Sequence, residues 1–67
     1  MVVCVFEGVG GGFVLRQKLD RERGLYVERV VRGFVSYTPD INGALWRHTK
    51  VELRSALIGT RLWVVGS

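Results

Sequence analysis

Along most of this chain, apolar and polar positions alternate with the two-residue period of β-strands, and glycine-rich or polar breaks interrupt the alternation. Val2 to Val9 is apolar on both faces except at Glu7, as in a strand covered on both sides. Gly10-Gly11-Gly12 follows, able to supply the positive φ values of a reversal. From Phe13 to Leu19, Phe13, Leu15 and Leu19 share one face, and Val14, Arg16 and Lys18 share the other. Asp20 to Gly24 is a polar loop that suits a hairpin, with Gly24 in the left-handed position.

The segment Leu25 to Tyr37 carries two signals. Val27, Val30, Val31 and Phe34 have helical spacing, but four valines, Phe34, Tyr37 and a central Gly33 favour a strand. As one long strand it places Leu25, Val27, Val31, Val35 and Tyr37 on a single face, with Arg29 intruding and Gly33 marking a bend or bulge. In Thr38 to Gly43, Pro39 ends pairing, and Asn42-Gly43 suits a tight turn with positive φ. Ala44 to His48 then reads as a strand, with Ala44, Trp46 and His48 opposite Leu45 and Arg47.

Thr49-Lys50-Val51-Glu52 has the form of a capping box and predicts a short helix over residues 50–58. Leu53, Ala56 and Leu57 line its inner face, and Gly59 is the stop. Thr60 to Val65 closes the chain as a strand with Leu62 and Val64 opposite Arg61 and Trp63. Strand, strand, long bent strand, strand, short helix, strand is the order of small barrels of the Src-homology-3 (SH3-like) and Tudor-like type. An oligonucleotide-binding barrel would place its helix between the third and fourth strands. The expectation is a mainly β chain, residues 1–67 forming a single five-stranded SH3-like or Tudor-like barrel with one short helix before the last strand.

Glu52-Leu53-Arg54, Ala56-Leu57 and Gly59-Thr60-Arg61-Leu62 resemble the helix–Gly–strand middle of the swapped-hairpin transition-state regulators and antitoxins that bind DNA as dimers. The strand ending in Pro that precedes this helix in that family is absent, so no residue role is carried over.

Size sharpens the picture. A 67-residue chain buries only about 60% of the surface its unfolded form exposes, yet 48% of these residues are hydrophobic. One cysteine and one histidine exclude an internal disulfide and an ordinary Cys/His zinc site. An unstapled small domain with this apolar surplus is expected to form a homo-oligomer or to sit in a larger complex. Cys4, flanked by Val2, Val3, Val5 and Phe6, reads as a small buried hydrophobe, and a single unpaired thiol fits a reducing, cytoplasmic setting. The N-terminus lacks the basic region of a signal peptide, and no stretch approaches the ~20 apolar residues of a spanning helix, so no membrane association is expected.

Catalytic chemistry finds no foothold. His48 is the only imidazole, Ser36, Ser55 and Ser67 lack the context of an activated nucleophile, and the carboxylates are scattered. Gly8, Gly10 and Gly12 alternate, but a phosphate-cradling loop needs a helix after it, and here a strand follows. Asp40 and Asn42 lack the further ligands of a calcium loop. The chain is therefore expected to be non-enzymatic, with no cofactor, no metal and no evident small-molecule substrate.

Two functions remain. The first is a structural or interaction subunit that self-associates or docks in a larger assembly. The alternative is a nucleic-acid binder for RNA or single-stranded DNA, suggested by the +4 net charge and by eight arginines among ten basic residues. Its candidate contacts are Arg29, Arg32, Arg47 and Arg61, with Trp46 and Tyr37 as the aromatics flanking the Pro39 turn. Tyr26, Phe34 and Trp63 are further stacking candidates. The arrangement of the arginines is what separates the two readings.

Overall fold

The computed structural model describes residues 2–18 and 24–66. Five strands form one open sheet in the order β4-β3-β2-β1-β5. They are β1 (Val3–Val9), β2 (Gly12–Gln17), β3 (Tyr26–Val31), β4 (Phe34–Thr38) and β5 (Trp63–Val65). One helix, α1 (Lys50–Ala56), precedes β5 as expected. β5 pairs parallel to β1 and the remaining neighbours are antiparallel. The sheet is not closed between β4 and β5, so the mainly β architecture stands and a barrel does not follow from it.

The β1–β2 hairpin turns on Gly10 and Gly11, at φ 57° and 80°, between the paired residues Val9 and Gly12. Both turn residues need positive φ, which glycine adopts without a Cβ penalty. Alternation then sorts the two faces. Cys4 of β1 and Leu15 of β2 meet Val27 of β3 and Leu53 and Leu57 of the α1 segment in one buried cluster. Leu53 has no exposed surface, and burying such a side chain is worth about 1.5–3 kcal/mol. Val14 is buried on the opposite face, across from Glu7 of β1.

The segment 25–37 corrects the sequence reading. It is two strands joined by a tight turn at Arg32 (φ 51°) and Gly33 (φ 79°), with Val31 and Phe34 paired across it. A register shift between Val27 and Arg29 also changes which valine points inward. Val30 packs against the core, and Val31 is half exposed. The second correction falls on the Pro39 turn. Asp40 caps a 3-10 turn over Ile41–Gly43 by accepting a bond from Asn42 N at 3.0 Å, and neither Asn42 nor Gly43 takes a positive φ.

Ala44 to His48 is extended but forms no named strand. Leu45 N donates to Val27 O at 2.8 Å, and Phe13 and Arg47 exchange backbone bonds at 2.8 and 3.1 Å. The segment thus fills the space where β2 and β3 diverge after their single pairing at Arg16–Tyr26. Its alternation holds, with Leu45 on the core and Trp46 on the other side over Gly12.

α1 starts as the capping box predicts. Glu52 N donates to Thr49 Oγ1 at 3.1 Å, and the Thr49 hydroxyl donates to Glu52 Oε1 at 3.0 Å. The helix ends at Ala56, short of residue 58, and Gly59 supplies the expected left-handed residue at φ 86°. Leu62 and Val64 pack inward, while Arg61 and Trp63 face out. The expectations for Leu19 and for the 20–23 part of the polar loop lie outside the described residues.

Candidate functional site

The open side of the sheet carries the most distinctive surface. The Arg32-Gly33 turn comes so close to the α1–β5 loop that a Cβ on Gly33 would stand 2.9 Å from Gly59 O. Only a glycine fits there, and the contact brings the β3–β4 hairpin against residues far away in sequence. The result is a groove of about 550 Å³. Val35, Tyr37 and Phe34 of β4 form one wall, Val2, Leu62 and Arg61 the other, with Arg32 at the end. A second groove of about 370 Å³ continues from Leu62 past Ile58, Trp63 and Arg54.

The apolar residues here are out of place for a sealed surface. Phe34 is 81% exposed, Ile58 80% and Trp63 57%. Among the described residues no acidic side chain lines either groove. The only salt bridge among the described residues is Arg16–Glu7 at 3.0 Å, on the opposite face of the sheet. There Tyr26 also donates to Glu7, at 3.4 Å, and burial first, then the Glu7 charge, pushes the Tyr26 phenol above its usual range.

Three of the six expected site residues, Arg32, Arg61 and Tyr37, share this groove. The other three do not. Arg29 lies on β3 opposite Ser36, and Arg47 Nη1 donates to Trp46 O at 2.7 Å beside β2. The Trp46 indole donates to Val9 O at 2.7 Å, and its ring covers Gly12 and meets His48 edge-on. Trp46 is thus a brace between the hairpin and the 45–47 segment. Tyr37 is half buried, and its phenol is pushed up chiefly by burial and next by nearby Cys4.

The sequence reading gave Ile58 and Arg54 no role. Their signal was available, since a helix burying Leu53 and Leu57 turns residues 51, 54 and 58 outward. Arg54 and Lys50 additionally lie over the edge aromatics of the core, each 5.4 Å from the Phe6 ring centre. No group of three or more His, Cys, Asp or Glu is placed to hold a metal among the described residues, and none of their helices is long and apolar enough to cross a membrane. Comparison with protein-family models, curated proteins and solved structures finds no match to this chain.

Proposed function

We propose that this chain is a non-enzymatic interaction subunit, working in the cytoplasm, whose docking surface is the arginine-rimmed groove on the open side of its sheet. One observation carries the reading: Phe34, with four-fifths of its surface in solvent, lines a groove whose charged residues, among those described, are all cationic. Small soluble proteins seldom leave large apolar side chains together in a concave, charged surround unless another molecule covers them. The open gap between β4 and β5 fits an SH3-like barrel left incomplete, with a partner supplying what closes it. The buried free thiol of Cys4 accords with a reducing compartment.

A nucleic-acid reading draws on Arg32 and Arg61 beside Phe34. It is the weaker one, because Trp46 is engaged in a structural bond and Arg29 and Arg47 lie elsewhere. A photo-crosslinking phenylalanine analogue separates the two. Placed at position 34 in the native cells, it should give a discrete, protease-sensitive adduct that is absent when the analogue stands at exposed Asn42. Equal adducts at both positions, or one removed by ribonuclease, would overturn the interaction reading.

A further inference from the structure

We infer that the groove receives an extended, acidic segment of a different protein, which adds to the free edge of β4 as a further strand. The inference rests on the interaction reading above and names its partner chemistry.

The edge itself is the first argument. Among the described residues β4 bonds only to β3, and its outer side is open. Natural edge strands are usually blunted by a charge, a proline or a bulge along their length. Phe34-Val35-Ser36-Tyr37-Thr38 has none of these, and its composition strongly favours pairing. The bulge near this edge lies on β3, where it leaves the outer side of β4 regular. β5, the opposite edge, is three residues long and offers a shorter ladder.

The side chains give the second argument. Val35 and Tyr37 project on the core side of β4 and face Val2 and Leu62 across the groove. A strand laid along β4 would set every second side chain into that apolar space and the alternate ones outward. Main-chain bonds would supply affinity, and the groove would select apolar residues at alternate positions.

Charge identifies the occupant. Arg32 and Arg61 border the groove and Arg54 borders its continuation, with no carboxylate in either lining among the described residues. A second copy of this +4 chain, docked through the same surface about a twofold axis, would bring these arginines into a common cationic interface. An acidic segment instead gains attraction to Arg32, Arg61 and Arg54 and faster association.

The test is fluorescence anisotropy at low salt with four labelled probes. They are a peptide of about ten residues alternating Val or Ile with Glu, its Lys-for-Glu twin, a twin with prolines at central positions, and a uridine oligonucleotide of similar length. The acidic peptide should bind at least about 10-fold more tightly than either twin. Arg61→Glu should weaken it about 10-fold or more, and Arg47→Glu, outside the groove, should leave it unchanged. Amide exchange should slow within residues 34–38 on binding. Equal binding of the acidic and lysine peptides, slowing elsewhere, or binding of the oligonucleotide alone would overturn the inference. So would a dimer of the chain by light scattering that Phe34→Ser returns to monomer, since a second copy would then own the groove. A crosslink at position 34 without acidic-peptide binding would leave the interaction reading intact and remove only the acidic strand.

Discussion

Gly12→Ala should unfold this protein more readily than any other single-methyl addition at a glycine of ordinary φ. A Cβ at position 12 would stand 2.5 Å from Arg47 O and would collide with the Trp46 ring. Neither neighbour can give way cheaply. Trp46 is held by its indole bond to Val9 O, and Arg47 by paired backbone bonds to Phe13. Overpacking costs about 1–3 kcal/mol. Breaking the two Phe13–Arg47 bonds adds about 0.5–1.5 kcal/mol each. The sum is about 2–6 kcal/mol, against a total of about 3–10 kcal/mol for a domain of this size. The melting temperature should therefore fall by at least about 10 °C. Gly8→Ala is the matched control, because a Cβ there meets only Gly12 O, at 3.9 Å, and its φ is ordinary. Thermal denaturation followed by circular dichroism compares the three proteins. If Gly12→Ala melts with Gly8→Ala and wild type, Trp46 is not clamped over the hairpin, and it returns to the pool of candidate binding aromatics.

Two further outcomes follow from the core and the helix stop. Burial raises the Cys4 thiol from 9.0 to about 11, so between those values the unfolded chain has lost a proton that the fold retains. Stability is therefore full below about pH 9 and declines toward pH 11, by at most about 3 kcal/mol from this group. Tyr26 and Tyr37, also raised, push the same way. Urea midpoints across that range should show the decline, and Cys4→Ala should flatten part of it; an identical slope in the variant would refute the assignment. Gly59→Ala should cost about 1–2 kcal/mol although its Cβ would meet nothing within 4 Å, because the φ of 86° alone opposes a side chain. An unchanged chemical-denaturation midpoint would show that the loop relaxes to another conformation.

Where one local interaction dominates, the sequence was sufficient. Gly10-Gly11 between two apolar runs sets a hairpin, because the positive φ values cost glycine little. Thr49 and Glu52 are three residues apart and cap a helix start wherever it lies. Leu62 and Val64 opposite Arg61 and Trp63 follow from the pleat of a single strand. The mainly β character and the place of the helix were legible on these grounds.

The rest depended on partners distant in the chain. Arg32 at φ 51° is costly for a residue with a side chain, so local preference argued for one bent strand over 25–37. Cross-strand pairing from Tyr26–Thr38 to Val31–Phe34 repays that strain, and only the folded sheet contains it. The shift between Val27 and Arg29 likewise decided that Val30, and not Val31, enters the core. Ala44 to His48 had the alternation of a strand but found only the gap between β2 and β3, where it makes a single bridge. The groove was least legible of all. Composition supplied Phe34 and the arginines, but only the folded chain exposes Phe34; the approach of Gly33 to Gly59 set Arg32 beside Arg61, and the open sheet left the β4 edge unpaired among the described residues. Local covalent preferences fix short elements within a few residues of chain; which side chains meet is fixed by pairing and packing that close only when the whole chain does.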